Sequence, residues 1–159
     1  LKKWIWLLSV LMFLSACGQG ANAPLSNGEG DEELEDSNWL FSVETDQLSN
    51  ELVVKLAVTN NQEEASSIDF SSGQKYELVL LDENGSEVYR YSEGKMFTMA
   101  LVHETFEPND SKEFEERINI EDLPKGTYTL EAQFILAAID GETWTEDGTF
   151  QKQVTVEIQ

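Results

Sequence analysis

One cysteine and one histidine are all that this chain of 159 residues offers of the side chains that most often carry nucleophilic or metal chemistry. With Cys17 alone there is no internal disulfide, so a packed core must hold the fold. A tetrahedral zinc site lacks its ligand set, and no loop has the acidic spacing and central glycine of an EF-hand. No metal and no cofactor are therefore expected. His103 is the one imidazole available to a serine nucleophile, and no G-x-S-x-G elbow accompanies it. It reads as a histidine within a strand. No motif organises the many carboxylates into a glycosidase pair, and the chain is not expected to be an enzyme. Basic residues are scarce as well, 10 against 31 acidic, for a formal net charge of −21. Such a field repels phosphate backbones and anionic headgroups, which excludes nucleic acid as a partner.

What is present begins with Lys2 and Lys3, an apolar segment from Trp4 to Leu14, and small Ser15 and Ala16 before Cys17. This order is that of a secretory signal. As a helix, Trp4 to Ala16 would span about 20 Å, short of the roughly 30 Å hydrocarbon core. Leu14-Ser15-Ala16-Cys17 resembles the bacterial lipobox, in which a diacylglyceryl group is joined to the thiol by a thioether and the chain is cut on the amino side of the cysteine. That resemblance implies a signal peptide over 1–16, lipidation at Cys17, and a mature protein anchored in the bilayer on the extracytoplasmic face of the cell membrane. Two acyl chains anchor stably where one does not. Residues 17–38, with Gly, Asn, Pro and Ser and the run Asp31-Glu32-Glu33-Leu34-Glu35-Asp36, read as a flexible, solvated acidic linker.

From Trp39 the pattern changes to period two. Leu52, Val54, Leu56 and Val58 alternate with Val53, Lys55, Ala57 and Thr59, the signature of a strand with one buried face. The same pattern predicts strands at Trp39–Thr45, Lys75–Asp82, Glu87–Ser92, Met99–Glu107, Glu113–Ile120, Thr127–Ile139 and Thr149–Ile158. Turn residues separate them: Asn84-Gly85, suited to a two-residue primed hairpin turn, then Pro108-Asn109-Asp110, Pro124-Lys125-Gly126, Asp140-Gly141 and Asp147-Gly148. No sustained helical period follows Trp39. Residues 39–159 are therefore expected to form one all-β domain, an antiparallel β-sandwich, large enough to fold without a metal or a disulfide.

Within it, Phe70-Ser71-Ser72-Gly73-Gln74-Lys75-Tyr76-Glu77-Leu78, then Gly85, Val88-Tyr89-Arg90-Tyr91-Ser92 and Phe97, resemble the BsuPI family, named for an intracellular proteinase inhibitor. Phe106-Glu107-Pro108 and Gly126-Thr127-Tyr128-Thr129-Leu130 extend the likeness, which covers about residues 57–136. It implies an immunoglobulin-like sandwich and, from the founding member, inhibition of a cytoplasmic subtilisin-type protease. For an exported chain the partner would instead be another protein outside the membrane, such as an extracellular subtilisin-like protease. Tyr89, Arg90, Tyr91 and Phe97 are the candidate partner-binding rim, although aromatic residues at these positions suit cross-strand packing as well. Trp144 is placed on the acidic hairpin from Asp140 to Gly148, where binding residues tend to sit. It supports the alternative of a cell-wall or carbohydrate-binding module; a structural envelope lipoprotein is the third reading.

Overall fold

The computed structural model describes residues 37–145 and 148–159. The expected signal peptide, Cys17 and the acidic run lie outside them. Every regular element among the described residues is a strand: β1 Trp39–Leu48, β2 Glu51–Asn60, β3 Ser66–Phe70, β4 Tyr76–Leu81, β5 Glu87–Arg90, β6 Val102–Phe106, β7 Ser111–Asn119, β8 Gly126–Phe134, β9 Ala138–Ile139, β10 Glu142–Thr143 and β11 Gln151–Ile158. They pair antiparallel in three sheets, ordered β1-β2-β7, β10-β9-β3-β6 and β11-β8-β4-β5, in a sandwich-like fold.

The alternation read from β2 sets which face is buried. Leu52, Val54, Leu56 and Val58 are sealed from solvent, while Lys55 is exposed and Ala57 and Thr59 are half-buried. These side chains meet the inward faces of β4 and β8, where Leu78, Leu80, Leu130 and Ala132 are equally buried. Phe134, at the end of β8, gathers the sheets. Its ring lies 5.2 Å from Phe41 and 5.4 Å from Phe114, both edge-on, and 6.3 Å from both Phe70 and Tyr76. Edge-to-face pairs at such separations add to the area they bury. Buried Asn60 joins β2 to β6: its amide donates to the carbonyl oxygens of Glu64 at 2.8 Å and Phe106 at 3.2 Å, and its oxygen accepts from the Gln62 N–H at 3.1 Å. A buried amide is tolerated because its groups are satisfied.

Turn chemistry differs from expectation at one place and matches it at another. Asn84-Gly85 does not form a two-residue primed turn, since only Gly85 has positive φ. The Asp82 carboxylate accepts from the N–H groups of both Asn84 and Ser86, and Gly85 N–H reaches Asp82 O, which closes a longer loop. An aspartate at the first turn position competes successfully for these donors. Between β9 and β10, by contrast, Asp140 and Gly141 both have positive φ, as a primed hairpin turn requires. The Asp140 carboxylate is fixed by Ser66 Oγ at 2.7 Å and Ser67 N–H at 2.7 Å.

Candidate functional site

The family-like segment before β4 and the end of β5 converge on one loop, residues 91–101. Its start is held by Glu77. The Glu77 carboxylate accepts from Ser92 N–H at 3.0 Å and from the Gln74 side-chain amide at 3.1 Å, with Arg90 Nη1 3.9 Å away. Tyr91 N–H donates to Leu78 O at 2.9 Å, which carries the β4 pairing one residue past the end of β5. The middle of the loop is held by Gly73, whose N–H donates to Thr98 O at 2.9 Å. A Cβ on residue 73 would lie 2.6 Å from Thr98 Oγ1, so glycine is what lets the two segments approach without turning that hydroxyl away.

The aromatic candidates form the underside of the loop. The Tyr91 ring stacks 4.5 Å from Tyr76 and 5.9 Å from Phe97, and Lys95 Nζ sits 3.5 Å above its centre. Cation–π contact of this kind favours an ordered lysine. Lys95 also pairs with Glu116 of β7 at 3.1 Å, and the Tyr89 hydroxyl reaches the same carboxylate at 3.3 Å. Burial pushes the phenols of Tyr76 and Tyr89 well above their ordinary value, with Tyr91 and Glu116 respectively adding to the shift, so both keep their protons. Tyr89 and Tyr91 are half-buried against the core, Phe97 is half-buried beside Tyr91, and Arg90 is engaged with Glu87 and Glu77. These four residues come together as a support.

The outer side of the same loop is apolar and open. Met96 is 99% exposed, Met99 90% and Leu101 69%. None was among the sequence candidates; Met99 and Leu101 fall within one expected strand, Met99–Glu107, and Met96 lies just before it. The strand begins only at Val102, opposite Phe70, since β3 ends there and the chain turns away through Ser71-Ser72-Gly73. Without a partner strand the preceding residues cannot extend the ladder. The signal that marks them is an apolar trio following Gly94 with no turn residue to explain it.

Trp144 belongs to another cluster. Its ring meets Phe150 edge-on at 5.3 Å, and it helps line an open cleft of about 550 Å³ with Asn38, Gln62, Asp140 and Glu142. Cys17 lies outside the described residues. His103 Nδ1 is 2.6 Å from Asp69 Oδ1 on the neighbouring strand, an exposed pair.

The BsuPI family model, described as intracellular proteinase inhibitor, matches residues 39–139. The chain belongs to the BsuPI family. The match contains the whole 91–101 loop and every residue that braces it, and a family of inhibitors implies a proteinase as the general kind of partner. No curated protein matches the BsuPI chain in sequence. Among solved structures it is similar to a penta-heme cytochrome c552 from Thermochromatium tepidum, with a TM-score of 0.43 and 8% identity, covering 78% of this chain and 40% of that one. It is also similar to a structural genomics target, SoR45, with a TM-score of 0.37 and 14% identity, covering 76% of this chain and 83% of that one.

Proposed function

We propose that this BsuPI protein is a lipid-anchored, non-catalytic binding domain, held outside the cell membrane through Cys17, that engages an extracytoplasmic subtilisin-like protease. The observation that carries the reading is the 91–101 loop, which sets Met96, Met99 and Leu101 in water while its backbone is braced by Gly73 and Glu77. Three large apolar side chains so close together mark an interaction surface. Burying one such side chain contributes roughly 1.5–3 kcal/mol, and a loop already ordered when free loses little entropy on binding.

The loop is also placed away from the point where the described chain begins. Its support Glu116 is level, through Val54, with Thr45 of β1, about 20 Å along the strand from Trp39 at the usual rise.

Titrating the full chain into secreted subtilisin while following peptide hydrolysis tests the inhibitor reading. Loss of hydrolysis at micromolar protein is expected, and unchanged hydrolysis removes subtilisin as a target. Cys17→Ser should move the protein from the membrane to the soluble fraction; retention in the membrane would refute the lipid anchor. The cleft at Trp144 favours a second reading, sugar binding, because an indole among Asn, Gln, Asp and Glu side chains suits a carbohydrate. Co-sedimentation with cell wall that is lost in Trp144→Ala would establish it in place of the first.

A further inference from the structure

We infer that Met96–Leu101 is the segment that enters the substrate cleft of an endopeptidase, lying there as a peptide strand with Met99 in an apolar specificity pocket. The inference rests on the proteinase-binding reading and names the residues that make the contact.

Two features of the loop distinguish a protein cleft from the other apolar environments it could meet. The first is its backbone. Thr98 O is taken by Gly73, but among the described residues no backbone hydrogen bond is made to Met96, Met99 or Ala100. Their N–H and C=O groups are free to pair with an edge strand, which is how an extended peptide is recognised, with pockets taking alternate side chains. A lipid surface would leave those groups unsatisfied. The second is charge. At −21 the chain is repelled by the anionic headgroups against which an apolar loop would have to insert.

The side chains divide by direction. Phe97 turns inward onto Tyr91 and is half-buried, whereas Met96 and Met99 stand clear on either side of it and of Thr98. The two methionines are three residues apart, at most about 10 Å along the chain, enough to address two separate pockets. Met99 is the better placed for the deeper one. Its neighbour Ala100 has only a methyl group to keep the partner backbone at a distance, and Thr98, on its other side, is fixed to Gly73. Methionine is unbranched and pliable, which suits a pocket that accepts long apolar side chains.

The test uses the full chain and its Met96→Asp, Met99→Asp, Met99→Lys and Val88→Asp variants against subtilisin, which takes apolar side chains, and trypsin, which takes lysine. The expected result is inhibition of subtilisin that competes with peptide substrate, weakened about a hundredfold in Met99→Asp and left unchanged in Val88→Asp. Met99→Lys should lose subtilisin and gain trypsin. That gain cannot come from misfolding, and melting curves matching the parent should accompany every variant because the altered side chains are exposed. Subtilisin inhibition that survives in both Met96→Asp and Met99→Asp would overturn the inference while leaving the proteinase reading intact. Failure of the parent chain to inhibit subtilisin would remove subtilisin as the target and the inference with it. Rapid cleavage after Met99 without lasting inhibition would make the loop a substrate, and flotation with anionic vesicles that falls in Met99→Asp, with no effect on either peptidase, would assign the loop to lipid; each overturns the inference.

Discussion

Glu104 shows how much of this molecule's order is arranged around single carboxylates. It stands on β6 between Lys75, just before β4, and Lys112 on β7, each 2.5 Å away, and so ties its own sheet to β7 and to the start of β4. The hydrogen bond from Lys112, followed by that from Lys75, holds its carboxyl below the ordinary carboxylate value. A folded-state pKa below the unfolded one adds stability that is complete above the unfolded value, near 4.5, and is lost as pH falls through the folded one. Urea unfolding at pH 7 should find Glu104→Gln less stable by roughly 1 kcal/mol. Measured down to pH 3, the gap between variant and parent should close. A gap that stays constant would show that the carboxylate's charge is not what matters. Phe134 stands at the other extreme, apolar and touching four rings, and Phe134→Ala should cost about 3–5 kcal/mol by the same measurement.

Elements were legible where one face is buried and the other wet. Strands β1, β2, β4, β7, β8 and β11 follow from period two because their partners impose the alternation along most of their length. The reading ran long wherever an apolar pattern outlasted the partner strand. It carried β8 through to Ile139, although the chain leaves the sheet after Phe134 and returns as the short β9 beside β3. It carried β6 back to Met99, which concealed the exposed side of the loop. Pairing is a property of two segments, and a pattern within one of them does not say where the other stops. The bracing residues were legible for a different reason: Gly73, Gln74, Glu77 and Tyr91 sit in the family-like segments, whereas their shared task of holding a loop requires knowing that Thr98 lies against Gly73. Gly73→Val should loosen that loop while sparing the core. Faster amide exchange at residues 92–101, with little change in the midpoint of unfolding, is the expected outcome; a large fall in the midpoint would instead make Gly73 part of the global fold.

Across the whole molecule, the two ends of the described chain lie at opposite ends of β1. Ser37 and Asn38 are bonded to Asn61, beside the first residue of β1, while Gln159 N–H is bonded to Gln47 near its last. Tension between Ser37 and Gln159 therefore runs along β1 and loads its ten paired residues with β2 together, as a lap joint is loaded in shear. Tension between Ser37 and Asn61 would open the same ladder one pair at a time, as a zipper. Single-molecule pulling should find the first geometry rupturing at markedly higher force than the second, even though both break the same hydrogen bonds. A domain gripped by a large partner and held from its Ser37 side would draw on the stronger of the two, so the direction of the first strand equips this small sandwich to carry load along its length.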